Sequence, residues 1–194
     1  MRNSPNWSDP LAHILRHAPD MAVLYFCPDT LQATARRFLA GFDGLVTYAV
    51  KANPSRAVLD NLVACGLRGF DVASPDEIAL VKGTDEGAAL HYNNPVRSRG
   101  EVAQAVRARV ASWSVDCPGE LDKLGAPRFA GEEVAVRLAL PVKGAHYDFG
   151  EKFGLAPAPA AALLAEVARR GFQPAICFHP GTQCADPEAW AAYI

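Results

Sequence analysis

The stretch LVTYAVKANP at residues 45–54 decides the fold of this chain. Its apolar first half contains β-branched and aromatic residues, which predict a strand, and its lysine, asparagine and proline predict a turn. A helical segment at residues 56–64 and a second apolar run at residues 67–70 follow directly. Strand, loop, helix and strand in this order predict a βα unit with parallel strands.

The same alternation of short apolar runs and Ala-rich, charge-spaced segments continues along most of the chain. Strands are predicted at residues 22–26, 45–50, 67–70, 88–92, 109–115, 133–140 and 174–178. Helices are predicted at residues 29–40, 56–64, 75–81, 99–107, 118–124 and 158–170, and Ser74 with Glu77 forms a capping-box pattern. From residue 50 to residue 140, successive strand ends lie 20 to 25 residues apart, which is the length of one βα unit. Both a doubly wound sheet and a barrel satisfy this spacing.

Composition disfavours several classes of protein. Hydrophobic residues make up 50% of the 194 residues and charged residues 21%, as in a globular chain. The net charge of -2 offers no attraction for nucleic acid, and the longest apolar run, residues 21–27, is far shorter than a membrane-spanning helix. Residues 1–20 lack the apolar core of a secretory signal, and the five cysteines lack the spacing of a disulfide scaffold. We therefore expect a cytoplasmic protein with no nucleic-acid or membrane partner.

Polar residues follow several of the predicted strands at the point where each strand ends. They are Lys51, Asp71, Asn93, Asn94 and His179. Taken alone, Lys51 reads as a surface lysine, Asp71 as a turn residue and His179 as a core histidine. Because the carboxyl ends of parallel strands lie on one face, we expect these side chains to converge there. At such a site, partial burial of Lys51 would leave its amine neutral part of the time and able to attack a carbonyl group.

The motifs of other common sites are missing from the sequence. Cys177, His179 and Cys184 are close together, but no CxxC pair or HExxH motif accompanies them, so no metal site is predicted. The sequence also has no GxGxxG after a strand, no GxxxxGK followed by Ser or Thr, and no GxSxG. The sequence therefore does not support a phosphate-binding loop for a nucleotide or the nucleophile turn of a serine hydrolase.

Several motifs together resemble the ornithine/diaminopimelate/arginine decarboxylases, a family of alanine-racemase-like, fold type III enzymes that depend on pyridoxal 5'-phosphate (PLP). The motifs occur in the family's order from about Met21 onward, and such an ordered set is more specific than any one motif. They are VTYAVKAN (46–53), GFDVAS (69–74) with Glu77, NP (94–95) with Arg97, VRL (136–138), KFGL (152–155) and FHPGTQ (178–183).

The resemblance implies a fold and a set of site residues. The fold would be an α/β TIM-type (β/α)8 barrel that binds PLP at the carboxyl ends of its strands, with a second β-domain. Lys51 would form the internal aldimine with PLP, and His179 would stack on the cofactor ring. Arg137 would lie near the ring's 3-hydroxyl group and Asp71 beside the lysine and the phosphate. Thr182 would stand near the phosphate, where the family usually has serine.

The resemblance also implies that the chain holds an incomplete barrel. Residues 1–27 would contribute an N-terminal segment and one strand of the β-domain, and residues 28–194 a partial PLP-binding barrel. Six βα units are visible, whereas a TIM-type barrel has eight. We therefore expect the N-terminal part of a longer protein, ending inside a helix that begins near Pro187, and a homodimer at full length. Arg97 departs from the family, which usually has lysine there, so the charge is kept but the donor geometry changes.

The leading functional hypothesis is PLP-dependent decarboxylation of a small basic amino acid, ornithine or lysine. Diaminopimelate decarboxylase is the alternative within the family, and a racemase is disfavoured because racemases present a different lysine context. Three other hypotheses stay open: a non-catalytic PLP-binding or regulatory homologue, an inactive fragment, and an unrelated doubly wound protein with coincidental motifs.

Overall fold

Strands and helices alternate in the computed structural model, which describes residues 7–140, 152–181, 184 and 186–194. The strands are β1 (Thr47–Ala49), β2 (Gly69–Val72), β3 (Ala89–Tyr92), β4 (Ser112–Val115), β5 (Glu133–Leu138) and β6 (Gln173–Phe178). The helices are α1 (Pro10–His17), α2 (Pro28–Gly41), α3 (Arg56–Ala64), α4 (Pro75–Lys82), α5 (Arg99–Arg107), α6 (Pro118–Leu124), α7 (Pro157–Arg169) and α8 (Pro187–Ala191). Among the described residues, every helix is too short or too polar to cross a bilayer.

The order of the strands separates the two topologies that the spacing left open. All neighbouring strands are parallel, and the sheet runs β1-β2-β3-β4-β5-β6 in chain order. A doubly wound sheet reverses its strand order at a switch point, whereas a TIM-type barrel adds each strand beside the last. The sheet is therefore a six-stranded part of a barrel, as the resemblance implies.

The two faces of the sheet differ in polarity because successive strand residues point to opposite sides. Phe70, Leu90, Tyr92, Trp113 and Val134 are fully buried and belong to one apolar cluster with side chains of the helices. Asp71, His91, Glu133, Arg137 and Cys177 alternate with such residues along their strands and are only partly buried. The apolar face thus packs on the helices, and the other face carries the polar groups.

Helix α4 begins where the Ser74–Glu77 capping pattern predicted, but one of the two predicted hydrogen bonds has a different partner. The Ser74 hydroxyl accepts the Glu77 N–H at 3.2 Å, as predicted, but the Glu77 carboxylate accepts the N–H of Ala73 (2.8 Å) rather than that of Ser74. A complete capping box forms at the start of α5 between Ser98 and Glu101. Both contacts fix the loops that leave the carboxyl ends of β2 and β3.

A buried carboxylate joins β4 to the loop before β5. Glu132 is 1% exposed and accepts hydrogen bonds from Trp113 Nε1 at 2.9 Å, from the Arg128 backbone N–H at 2.7 Å and from the Arg128 guanidinium. The guanidinium also lies 5.3 Å from the centre of the Trp113 ring. Three donors therefore compensate the cost of burying this carboxylate.

The N-terminal prediction is wrong in two respects. Helix α1 was not predicted, although Asp9 caps it by accepting the Ala12 N–H at 2.8 Å and Pro10 occupies its first turn. The expected strand at residues 22–26 is not formed: these residues lie outside any helix or strand, and Leu24 is 94% exposed. A strand needs a hydrogen-bonding neighbour, and no described strand lies beside this segment. The assignment of residues 1–27 to a second domain stays a prediction.

Several predicted bounds also differ from the structure. β1 covers only residues 47–49 of the predicted 45–50, because residues 50–52 form a 3-10 turn. β4 begins at Ser112 rather than at Arg109, whose φ of 55° breaks the extended conformation. Helix α8 ends at Ala191 and a turn follows, so the expected ending inside a helix is wrong.

Candidate functional site

A cavity of about 250 Å³ opens at the carboxyl ends of the strands. Four of the five predicted site residues line it together: Lys51, Asp71, Arg137 and His179. They come from positions up to 128 residues apart in the chain, and the parallel sheet brings them to one face. The fifth, Thr182, lies outside the described residues.

Lys51 lies on the 3-10 turn that follows β1. The fully buried Val50 anchors this turn in the core, and the Tyr48 hydroxyl donates to the Asn53 carbonyl at 3.3 Å across it. The lysine itself is exposed, so the partial burial expected from the sequence is wrong. Lys51 lies in this turn rather than in β1, which ends at Ala49. The amine therefore stands at the cavity, open to a ligand that carries a carbonyl group.

Asp71 supplies a carboxyl group with altered acidity. Burial raises the pKa of Asp71 above its usual range, and nearby Glu77 adds to the increase. The neighbouring Asn93 and the charge of Lys51 lower the pKa of Asp71, without cancelling the effect of burial. A carboxylate with a raised pKa is a better proton acceptor than an ordinary aspartate.

His179 follows β6 and is held in one tautomer. Its Nδ1 accepts the backbone N–H of Gly181 at 3.0 Å, so in the neutral ring the proton is on Nε2. Although His179 as a whole residue is exposed, the loss of water around part of its ring lowers its pKa, and the charges of Arg137 and Lys51 lower it further. The imidazole is therefore neutral at pH 7 and offers a flat uncharged ring to the cavity.

Arg137 brings a positive charge from the end of β5. It stands opposite Cys177 in the β5–β6 register, and its guanidinium lies 5.3 Å from the centre of the Phe153 ring. Phe153 and Cys177 also line the cavity, although neither was predicted as a site residue. Burial raises the pKa of the Cys177 thiol to about 11, so this thiol stays protonated at neutral pH.

The KFGL segment is attached to the end of β5 by backbone hydrogen bonds. The Leu155 N–H donates to the Arg137 carbonyl at 2.9 Å, and the Ala139 N–H donates to the Leu155 carbonyl at 2.8 Å. Gly154, the residue before Leu155, has a φ of 107°. A Cβ atom added to Gly154 would lie 3.0 Å from the Cβ atom of Ala139. The positive φ and the close Ala139 side chain both favour glycine at this position. The backbone hydrogen bonds of Leu155 keep the neighbouring Phe153 at the cavity.

Comparison with known proteins identifies the family. Residues 29–194 match the family model described as pyridoxal-dependent decarboxylase, pyridoxal binding domain. The chain belongs to this family. It is 35% identical over 148 residues to the lysine/ornithine decarboxylase of Selenomonas ruminantium, covering 75% of this chain and 37% of that protein. It is 36% identical over 146 residues to the ornithine decarboxylase of Caenorhabditis elegans, covering 74% of this chain and 34% of that protein.

A solved structure shows the same fold in this decarboxylase family. The lysine decarboxylase from Selenomonas ruminantium aligns with a TM-score of 0.75 at 27% identity, over 97% of this chain and 49% of that chain. Our chain thus spans about a third of the length of the two curated relatives and about half of the solved structure. These findings confirm the expected family, barrel fold and cofactor class. The hypothesis of an unrelated doubly wound protein is wrong.

The cavity residues of this decarboxylase-family chain fit the chemical groups of PLP. An exposed amine suits the aldehyde, the Arg137 guanidinium suits an oxyanion, and the neutral His179 ring suits a flat aromatic surface. Among the residues that the structure describes, no group of three or more His, Cys, Asp and Glu side chains is placed to hold a metal ion.

Arg97, where the family resemblance led us to expect a lysine, is not part of the cavity lining. It is 2% exposed, and its guanidinium donates to the backbone carbonyls of Tyr92 (3.1 Å), Asn94 (2.8 Å) and Ser114 (2.6 Å). Burial lowers its pKa, although Glu120 opposes this effect. Arg97 thus joins the end of β3 to β4. The sequence motif located Arg97 but gave no sign of this arrangement.

Proposed function

We propose that this chain forms the lysine-bearing PLP site of a decarboxylase that acts on a basic amino acid, ornithine or lysine. The observation that carries the proposal is the exposed amine of Lys51 at a cavity that also holds Asp71, Arg137 and His179. The matched domain is a pyridoxal-binding domain, and the named relatives are ornithine and lysine/ornithine decarboxylases, which supports both the cofactor and the substrate class.

Each cavity residue has a part in holding the cofactor. Lys51 would bond covalently to the aldehyde carbon, the His179 ring would pack on the cofactor ring, and Arg137 would attract the oxygen at the 3-position. A phosphate contact of Thr182 stays a prediction. Bound PLP supplies an electron sink for the carbanion that forms when the substrate loses CO2.

The chain's own groups control the protons around Lys51. An ammonium group must lose a proton before its nitrogen can attack a carbonyl carbon, and the Asp71 carboxylate beside it can accept that proton. His179 stays neutral because its pKa is lowered, so it adds no positive charge next to Lys51. Among the described cavity residues, Arg137 thus provides a cation for oxyanion binding and Lys51 an amine for covalent attachment.

We also propose that the whole protein is a cytoplasmic homodimer in which a second β-domain completes the site. The family resemblance supports the dimer and the β-domain. The five cysteines, all free thiols in the structure, suit a reducing compartment.

The covalent role of Lys51 is tested by trapping. PLP is added to the purified chain, the mixture is reduced with borohydride, and the modified lysine is located by peptide mass spectrometry. We expect modification at Lys51 and its loss in Lys51→Ala. Lys82→Arg is the matched control, because the Lys82 amine donates to the carbonyls of Glu86 and Ala88 away from the cavity. Equal trapping by Lys51→Ala and the parent chain would refute the assignment.

The decarboxylase activity requires a separate assay on the full-length protein. Release of CO2 is measured from ornithine, lysine and diaminopimelate, and we expect release from ornithine or lysine. Release from diaminopimelate alone would favour the alternative within the family. Trapping at Lys51 with no release from any substrate would favour a PLP-binding protein without turnover.

A further inference from the structure

We propose that Tyr193 is a positioning residue that joins the carboxyl ends of β5 and β6 and thereby fixes His179 at the cavity. The inference rests on the proposed function, in which the His179 ring packs on the cofactor. It assigns a role to a residue outside the predicted catalytic and cofactor-binding set.

The Tyr193 hydroxyl bonds to the backbone of the segment that leaves β5. It donates to the carbonyl of Leu140 at 3.1 Å and accepts the N–H of the same residue at 3.4 Å. Leu140 lies just beyond Leu138, the last residue of β5. A phenolic hydroxyl can donate and accept at once, so one side-chain atom restrains both polar groups of this backbone residue.

The Tyr193 ring packs against the last residue of β6. The rings of Tyr193 and Phe178 are stacked, with centres 4.6 Å apart and planes inclined by only 9°. Aromatic rings at such a distance attract each other beyond the effect of buried area. Phe178 lines the cavity and directly precedes His179 in the chain. The contacts of Tyr193 with Leu140 and Phe178 together form the Tyr193 bridge.

Helix α8 and the turn after it hold Tyr193 in place for both contacts. Asp186 caps the start of α8 by accepting the N–H of Glu188 at 3.0 Å. The Tyr193 N–H donates to the carbonyl of Trp190 at 3.1 Å in the turn that follows the helix. Tyr193 therefore reaches the two strand ends from a hydrogen-bonded element.

The bridge acts where the pairing of the two strands stops. The register of β5 and β6 ends with the last residue of each strand, so it does not extend to His179. The Gly181 N–H fixes the His179 ring within its own loop, and Tyr193 fixes that loop relative to β5. Held there, the ring loses water and faces the charges of Arg137 and Lys51, which together lower its pKa.

The test follows the titration of His179 in the chain without PLP. Proton NMR of the imidazole C–H signals gives the midpoint, and His179→Gln identifies the His179 signal by its loss. We expect Tyr193→Phe, which removes only the hydroxyl, to move the midpoint upward toward 6.5, because a released ring gains water and leaves the two cations. Tyr25→Phe is the matched control: the Tyr25 hydroxyl contacts His13 Nδ1 at 2.6 Å outside the cavity lining, so the His179 midpoint should stay in place.

A second variant tests the ring contact. Phe178→Leu keeps an apolar side chain but removes the stacked ring, so we expect it to move the His179 midpoint in the same direction. In the double variant with Tyr193→Phe, the shift should be smaller than the sum of the two single shifts, because either change breaks the same bridge. Additive shifts would mean two independent effects and would overturn the bridge.

Urea unfolding separates this positioning role from a purely structural one. A Tyr193→Phe chain that is less stable than the parent but keeps the parent's His179 midpoint would overturn the proposal. A shifted midpoint in a chain that stays folded throughout the titration would support it. Should Tyr193→Phe fail to fold, as judged by circular dichroism, the Phe178 variant alone decides whether the stacked rings fix His179.

The outcome is independent of the cofactor experiment. An unchanged His179 midpoint in folded Tyr193→Phe would overturn the positioning role even if PLP is trapped on Lys51. Failure of trapping together with a shifted midpoint would refute the proposed function and leave the Tyr193 bridge intact.

Discussion

Replacing Glu132 by alanine should destabilise the fold strongly, because its carboxylate serves three buried or partly buried donors. The substitution leaves the fully buried Trp113 indole N–H without an acceptor, which costs about 1–3 kcal/mol. It also removes the partner of the Arg128 guanidinium, and breaking a buried ion pair costs about 3–5 kcal/mol in total. Because the Arg128 side chain is 27% exposed and can turn to water, we expect a loss of about 3 kcal/mol.

The expected loss is measured by urea unfolding, followed by far-ultraviolet circular dichroism and extrapolated linearly to zero urea. Glu132→Gln retains an acceptor oxygen for Trp113, so it should cost only about 1–2 kcal/mol. In a double-mutant cycle with Trp113→Phe, the two positions should couple by at least about 1 kcal/mol. A loss below about 1 kcal/mol for Glu132→Ala, or a coupling near zero, would show that the carboxylate does not join β4 to β5 as argued.

Three further predictions concern backbone strain, thiol reactivity and pH. Gly154→Ala should cost about 1–3 kcal/mol in urea unfolding because of its φ of 107° and the close Ala139, whereas Gly119→Ala, which meets nothing within 4 Å, should not destabilise. Burial raises the pKa of Cys177 to about 11, so its thiolate fraction, and with it the rate of reaction with a thiol reagent, should increase about tenfold for each unit that the pH rises between 7 and 10. A rate that does not change with pH would contradict this burial. Burial lowers the pKa of His91 below its ordinary value of 6.5. As the pH falls below 6.5, the histidine of the unfolded chain therefore binds a proton before that of the folded chain, and the free energy of unfolding should decrease. His91→Gln should flatten this decline, and an unchanged slope would exclude His91 as its source.

Much of the fold was predictable because its signals are local. A strand of three to six residues, a helix cap such as Ser74 and a turn at Asn53 each depend on a few adjacent residues. The positions of the strands and the order of the units were therefore readable from the chain. The strand at residues 22–26 was not, because a strand also depends on a neighbour that its own residues do not specify.

The candidate site was predictable only in part, for a similar reason. The positions of Lys51, Asp71 and His179 directly after predicted strands indicated that they lie on one face of the sheet. The family resemblance added Arg137 to this set. The contacts of Arg97 and Phe153 depend on how neighbouring strands and loops meet, which is not encoded in any one segment. The exposure of Lys51 was also missed, because the hydrophobic pattern does not distinguish the 3-10 turn at residues 50–52 from the end of a strand.

By itself, the sequence determined the alternation of strands and helices, the face on which polar residues gather, and the family to which the chain belongs. Tertiary structure alone decided that the sheet follows barrel order and that the Arg97 guanidinium bonds to backbone carbonyls of β3 and β4 outside the cavity lining. The physical reason is the range of the interactions. Backbone preferences and side-chain periodicity act over a few residues, whereas hydrogen bonds between β2, β3 and β4 join groups that meet only after the sheet has formed.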